Sequence, residues 1–379
     1  MSDIVVEEKV GLAAVGQEQS RYVYASQWRL MWWKFKAHRV AKWSLWALVA
    51  MYIVALVPEF FAPYSADTRF EGYQDAPPTV VRVVDDGALS TPFVYGRERA
   101  LDTQTLQYEH VEDRSQESTI QFFGRGEPYK LFGVIETERR LFTTEAGEPP
   151  VLLLGTDRLG RDILSRIIYG SRISLTIGLV GVALGLVLGT LLGAISGYFG
   201  GVVDTIIQRV TEFILALPAL PLWIALAAAL PRDWSIIRTY FFIVVILSFI
   251  SWTGLAREVR GKLLALREED FVVAAKVAGA SRRRIIFGHL VPSVTSHLIV
   301  VTTLAIPAMI LGETALSFIG VGMQAPAVSW GTLLQDAQNV VAVTAHPWQL
   351  TPAIPVVLVV LCFNFLGDGL RDAADPYSR

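Results

Sequence analysis

Charge is what this sequence has least of. Asp, Glu, Lys and Arg make up 18% of its 379 residues, against about 25% in an ordinary soluble domain. The deficit is also uneven. No charged residue falls between Arg172 and Asp204, Glu212 and Arg232, Arg238 and Arg257, Arg284 and Glu313, or Asp336 and Asp368. Cysteine is as scarce: the single Cys362 sits inside the last of these runs, which excludes an intrachain disulfide and a cysteine-built metal site. His38, His110, His289, His297 and His346 form no HExxH pair, so they read as interfacial or loop residues. A G-x-x-x-x-G-K-[ST] loop is missing as well. Gly261-Lys262 is followed by Leu263, so the chain does not itself cradle nucleotide phosphates.

What remains is apolar. Hydrophobic residues account for 53% of the chain and mean hydropathy is +0.44. A bilayer's hydrocarbon core needs about 20 apolar residues per helix, and the charge-free runs meet that length. Together with the shorter apolar stretch 44–61, whose far end Glu59 marks, they predict an all-α membrane protein with six transmembrane helices, over residues 44–61, 173–192, 205–230, 239–255, 294–319 and 352–366. Residues 1–43 form a tail without the basic start of a cleaved signal peptide, and its first 19 residues read as poorly ordered. It ends in a helix where Arg29, Lys34, Lys36, Arg39 and Lys42 alternate with Trp28, Trp32, Trp33 and Phe35, a mixture suited to lipid headgroups rather than nucleic acid.

Residues 62–172 change character, with many charges and short β-prone pieces at 79–84 and 119–123. Residues 122–134 read as two strands around a Gly/Pro turn. We expect a small mixed or β-containing insertion outside the membrane. It closes with an interfacial helix whose Ile163, Leu164, Ile167 and Ile168 share one face, leaving Arg161, Arg166 and Arg172 to water. The membrane core spans 173–370 and a short tail 371–379.

Six crossings put both termini and the loop 257–292 on one side. That loop carries eight Lys and Arg against four acids, and the segment before the first span is purely basic. The positive-inside rule therefore places both in the cytoplasm and the insertion outside.

Two patterns stand out within the core. Gly181, Gly185, Gly189, Gly193 and Gly197 recur every four residues and line one groove of a helix, where small side chains let a neighbour approach closely. In 257–292, Asp270 suits an N-cap and Gly279 a left-handed stop for a helix over 271–278, while Ser281 suits the cap of a second helix ending at Pro292. A basic, capped helical pair just outside a membrane is a handle for a partner. Pro218 and Pro221 should bend the third span. Glu212, near the start of that span, and Glu313 are the nearest approach to intramembrane acids, and they are what an ion-gradient-driven transporter or channel would need.

Four blocks in order carry a family resemblance: LLGTDRLGRDILSRIIYGSRISL (153–175), WTGLAREVRGKLLALREEDFVVAAKVAGASRRRIIFGHLVPS (252–293), GETALSFIGVGMQAPAVSWGTLL (312–334) and FNFLGDGLRDAADP (363–376). The chain resembles the C-type permease of the dipeptide/oligopeptide class of ABC importers. The insertion, with IQFFGRGEPYKLFGVIETERRLF, is similar to the subgroup linked to microcin C and larger oligopeptides. The resemblance implies the type I ABC importer permease fold in a bacterial inner membrane and a role in peptide transport. It also implies a second permease, two ATP-binding subunits and a periplasmic solute-binding protein as partners, with ATP bound by those subunits and no cofactor here. The family's cytoplasmic signature is E-A-A, three residues, Gly, nine residues, Ile, one residue, Leu-Pro. Ala274, Ala275, Gly279 and Pro292 match it, whereas Val273, His289 and Val291 replace the glutamate, isoleucine and leucine. By the resemblance these residues, with Ala280 and Arg282, form the coupling helix that docks in the ATPase.

Overall fold

The computed structural model describes residues 27–85, 88–101, 103, 108–131, 133–231 and 233–374. The far N-terminal tail and most of 371–379 thus lie outside the described residues. Near the start, α1 (Gln27–Ala37) and α2 (Arg39–Leu56) are joined at His38, whose ring caps α2 by accepting from the Ala41 amide. The first span therefore starts and stops about five residues earlier than 44–61. Pro58 and the short α3 (Pro58–Phe61) end it, because proline cannot continue the ladder. Trp43 and Trp46 lie well exposed on α2.

The second span and the helix expected before it are one element, α4 (Ile163–Phe199), about 55 Å long at 1.5 Å per residue. Asp162 caps it by accepting from the Ser165 amide at 2.7 Å. The arginines assigned to water go elsewhere. Arg166 is buried and donates to Asp157 at 2.6 Å and Asp336 at 3.2 Å, and Arg161 joins the same two acids at 2.8 and 3.5 Å. Arg172 pairs with Glu59 at 2.9 Å, fastening α3 to α4.

The third span is broken. It consists of α5 (Gly201–Leu215) and α6 (Ala219–Ala228), meeting at 83°, and Glu212 lies near the end of α5 rather than near the start of the span. Then α7 (Ile236–Leu266) leads to the hairpin helices α8 (Asp270–Val277) and α9 (Arg282–Ile285). A π-turn (Ile286–Leu290) and α10 (Val291–Ser293) carry the chain almost without pause into α11 (Thr295–Phe318). The second hairpin helix therefore does not stop at Pro292. After α12 (Trp330–Asp336), α13 (Val340–Ala345) and a 3₁₀ turn (Pro347–Leu350), α14 (Ala353–Ala374) closes the bundle.

Contacts fix the sense of each helix. Gly369 of α14 packs on Ala41 of α2, Arg260 of α7 holds Asp204 of α5, and His297 of α11 meets Glu258 of α7. All of these lie at one end, with the hairpin. At the other end, Arg172 reaches the Ala55 carbonyl, Ser174 reaches Glu313, and Trp348 donates to the Thr156 carbonyl. Ala227, Leu230 and Trp234 share a cleft with Gly320–Ala327 at that same end. Among the described residues, five helices are long and apolar enough to span a membrane, and the bent pair makes the sixth crossing. Its two arms join opposite ends of the bundle, so it is a broken span and not a re-entrant loop.

The insertion holds a three-stranded antiparallel sheet of β1 (Arg82–Asp85), β2 (Ala88–Leu101) and β3 (Tyr108–Thr119). The short β4 (Gln121–Phe122) pairs with β7 (Phe142–Thr143), and β5 (Arg125–Leu131) with β6 (Ile135–Arg139). The β5–β6 hairpin reverses at left-handed Gly133, not at Gly126 or Pro128. Tyr64, Val94, Ile120, Val151 and Leu152 form its small core. Buried Arg140 anchors it to the bundle by donating to the Ala62 carbonyl at 3.0 Å.

Burial pushes the Asp162 carboxyl up to about 6. Between about pH 4 and pH 6 the folded chain keeps a proton that the unfolded chain has released, so stability falls as pH rises through that window and levels off above it. Asparagine can also serve as an N-cap. Asp162→Asn should flatten that part of the thermal-unfolding profile of the detergent-solubilised protein, with a gain of up to about 3 kcal/mol at pH 7. Profiles that stay parallel would contradict the assignment.

Candidate functional site

The glycine stripe faces two helices. A Cβ added at Gly185 would lie 2.6 Å from Ser251 Oγ, at Gly189 2.9 Å from the Trp252 carbonyl, at Gly193 2.5 Å from the Ala256 carbonyl, and at Gly197 2.9 Å from the Arg260 carbonyl. Four of the five glycines therefore meet α7, most of them at its main chain. Gly181 differs, facing the flexible Met309 of α11 at 3.3 Å. Its carbonyl accepts from Ser248 Oγ at 3.0 Å. Close approach of this kind supplies the van der Waals contact that drives helix association in lipid.

The hairpin sits on the end of this pair. Val272, Ile285, Ile286 and Leu290 are buried against Leu255, Val259 and Leu263 of α7, and Ala194 of α4 belongs to the same cluster. Burying each of the larger aliphatic side chains is worth about 1.5–3 kcal/mol, enough to hold the hairpin as part of the α4–α7 body. Within it, Glu269 and not Asp270 occupies the cap position of α8, without a side-chain cap bond; Asp270 begins the helix and its carboxylate still favours the N-terminal dipole. Gly279 has φ +76°. The Ala280 amide donates to the Ala275 carbonyl and the Gly279 amide to the Lys276 carbonyl, both at 3.0 Å, which is a Schellman ending. Ser281 caps α9 by accepting from the Arg284 amide.

These bonds decide what faces outward. Val272 points in, while Phe271, Val273 and Val277 are exposed, Val277 by 85%. Ala274, Gly279, Arg282 and Pro292 are exposed, and Ala275 and Ala280 are half-buried. The turn brings Ala274, Ala275, Gly279 and Ala280 together; Pro292 sits beyond the π-turn. The Arg282 guanidinium lies 5.8 Å from the Phe199 ring at the end of α4. An apolar strip on a basic loop outside the spans is the kind of surface a protein partner covers.

A second site was not legible as such. Glu313 of α11 is fully buried, and its carboxylate accepts from Ser174 Oγ at 3.2 Å and from Ser317 and Ser329 Oγ at 2.8 Å. Ser174 Oγ also accepts from the Trp330 amide, and Ser317 Oγ from the Met323 amide. The carboxylate thus pins the 317–330 turn against α4. Fully buried and held by three serine hydroxyls, it ties three segments rather than lining an open path. Glu212, by contrast, is exposed and paired with Arg209 at 2.9 Å.

Residues 189–379 match the family model described as the binding-protein-dependent transport system inner membrane component, which is half of the chain. The chain belongs to this family. Residues 26–78 of the permease also match a model for the N-terminal TM domain of oligopeptide transport permease C. The glycine stripe's last three members, the hairpin and Glu313 all fall inside the first match. Among curated relatives, the oligopeptide transport system permease protein OppC of Escherichia coli K12 is 44% identical over 226 residues, covering 59% of this chain and 72% of that protein. OppC of Bacillus subtilis is 39% identical with the same coverage. The dipeptide transport system permease protein DppC of Alkalihalophilus pseudofirmus is 43% identical over 223 residues, 59% of this chain and 71% of that protein.

The glycine contacts yield a graded expectation for this permease. Gly193→Val must drive α4 away from the Ala256 main chain and should cost about 3 kcal/mol or more. Gly181→Ala meets only a thioether that can rotate and should cost under about 1 kcal/mol. Thermal unfolding of the purified variants checks the order; equal effects would mean the stripe is not the packing face.

Proposed function

We propose that this permease is the membrane subunit of an ATP-driven peptide importer in a bacterial inner membrane. The observation that carries the reading is the hairpin: an outward strip of Phe271, Val273 and Val277 on a helix whose inward side is fixed to α7 and α4. In this reading α8 docks on a cytoplasmic ATP-binding subunit through Ala274, Ala275, Gly279, Ala280 and Arg282. A second permease completes the path, a second ATP-binding subunit grips the other hairpin, and a periplasmic solute-binding protein delivers the peptide. Both termini and the hairpin face the cytoplasm, and the insertion faces out. Closure of the ATPase pair draws the hairpins together. Because each hairpin is packed on α4–α7, the displacement reaches the far end of the bundle as a rigid-body step between two states. ATP stays with the partner subunits, and this chain makes and breaks no bonds.

Val273 stands where the family signature has a glutamate, so the grip is apolar contact and shape rather than an ion pair from that position. Close approach then depends on the small residues of the turn and on Gly279. A β-branched residue at φ +76° costs about 1–2 kcal/mol, and the space around Gly279 is otherwise open, so the fold survives the change while the docking surface does not.

The test is reconstitution of the permease with its partner subunits in liposomes, measuring peptide uptake with ATP and with a non-hydrolysable analogue. Uptake should require hydrolysis, and Gly279→Val should lower uptake and ATPase co-purification while membrane insertion persists. Equal uptake with both nucleotides, or normal coupling in the variant, would refute the reading.

A further inference from the structure

Where the insertion meets the bundle, two phenylalanines stand in the open. Phe122 is 63% and Phe123 57% exposed. Phe123 holds φ +55°, a left-handed conformation that a bulky side chain rarely adopts. Its amide is secured to the Leu141 carbonyl at 2.9 Å. The same stretch is tied to the end of the first span: the Leu141 amide donates to the Phe60 carbonyl at 2.8 Å and Arg140 to the Ala62 carbonyl at 3.0 Å. The Phe123 ring lies 6.2 Å from that of Phe60, which meets Phe61 edge-on at 5.2 Å.

These bonds set the depth of the patch. The 18 residues of α2 rise about 27 Å, close to the roughly 30 Å of a hydrocarbon core. Arg39 and Lys42 begin that helix, so Leu56 reaches the opposite edge of the hydrocarbon. One turn further on, the Glu59–Arg172 ion pair marks the headgroup layer, and Phe60 with Phe123 sits at that level. Rings at this depth belong to the interfacial belt of a membrane protein.

Charge supplies a second, independent observation. Arg125 and Arg139 stand directly opposite each other across the β5–β6 hairpin, and like charges so placed destabilise a strand pair. Both are exposed, and among the described residues neither has an ion-pair partner. Glu127 is taken up by Thr68 and the Ser65 amide. Side chains alternate along a strand, which puts Glu136 and Glu138 on the face of β6 opposite Arg139. Glu136 pairs there with Lys130 at 3.2 Å. Two cations thus flank the rings at headgroup depth, and the anion they call for lies outside the chain.

We propose that Phe122, Phe123, Arg125 and Arg139 form a membrane-surface anchor: the rings enter the lipid leaflet at the insertion's end of the bundle, and the two guanidiniums bind its phosphates. A guanidinium fork matches a phosphate with two parallel hydrogen bonds. The patch is continuous with the end of a span, where the bilayer is present whatever else assembles. The anchor holds the insertion at a fixed tilt on the bundle, independent of what the permease carries.

Spin labels read the depth directly. The full-length permease with Cys362→Ser is placed in nanodiscs of phosphatidylcholine, with and without phosphatidylglycerol, and with and without its partner subunits. A nitroxide is attached at Phe122→Cys, at Phe123→Cys, or at Ser115→Cys, which is exposed beside Asp113 and Arg114 on β3. Molecular oxygen concentrates in the bilayer and a neutral nickel chelate in water. Labels at 122 and 123 should be relaxed more by oxygen, and the same label at 115 more by nickel. Phe122 sits in ordinary strand backbone, so it still reports if the Phe123 variant fails to fold. Adding Arg125→Gln with Arg139→Gln should shift the label at 122 towards nickel, further in discs that contain phosphatidylglycerol. A preference for nickel at 122 and 123 would overturn the proposal. Shielding from both relaxants only when the partner subunits are present would also overturn it, by making the patch a subunit interface. Unchanged depth after loss of both arginines would overturn the phosphate contact.

Discussion

Main chain against main chain, the contact of α4 with α7 is what the rest of this permease depends on. Lipid gives two helices no hydrophobic reason to associate, so attraction must come from close packing. Glycine at every fourth position of α4 lets α7 come within reach of its backbone over four turns. The pair then has a built-up surface at each end. At one end it receives the hairpin cluster of Val272, Ile285, Ile286 and Leu290; at the other, Glu313 and Trp330 lock the 317–330 turn to Ser174 of α4. A displacement at the hairpin has no loose joint to dissipate in along this body.

Elsewhere the bundle is less continuous, and the discontinuities are placed. The broken span gives up helical hydrogen bonds at a point where the flanking helices are open to the outside of the chain. Two arginines do the reverse: Arg161 and buried Arg166 share Asp157 and Asp336, closing the insertion end with four charges in a compact cluster. Removing one partner from such a cluster leaves an uncompensated buried charge, which costs far more than the cluster contributes when intact. The bundle is therefore continuous along the α4–α7 pair and interrupted at the α5–α6 elbow.

Much of this was readable beforehand, for local reasons. Five of the six spans follow from charge-free runs, since hydrocarbon penalises charge wherever it occurs, and the first from the apolar stretch that Glu59 closes. Gly279 and Ser281 end and start helices by their own backbone and hydroxyl chemistry, and four of the five stripe glycines meet one helix because 3.6 residues per turn puts them on one face. Other features depend on residues far apart in sequence. Arg166 looks water-facing on its own helix because its partners lie off that helix, Asp157 nine residues before it and Asp336 170 residues after; the closed setting of Glu313 needs Ser174 and Ser329 from two other segments. Pro218 and Pro221 announced a bend but not its 83° size, which tertiary packing sets. At the hairpin the cap position falls one residue earlier, at Glu269 rather than Asp270, and no side-chain cap bond forms there.

The central claim is that α4 and α7 stay together as one body throughout the transport cycle. A Cβ at Gly185 lies 3.7 Å from Ser251 Cβ, within the 3.5–4.5 Å that a disulfide requires. In the Cys362→Ser background, Gly185→Cys with Ser251→Cys can be oxidised in the reconstituted importer and ATP-driven uptake measured before and after. The account predicts that locking the two helices leaves uptake essentially unchanged. A loss on oxidation that reductant restores would show that the helices must separate, and would contradict it.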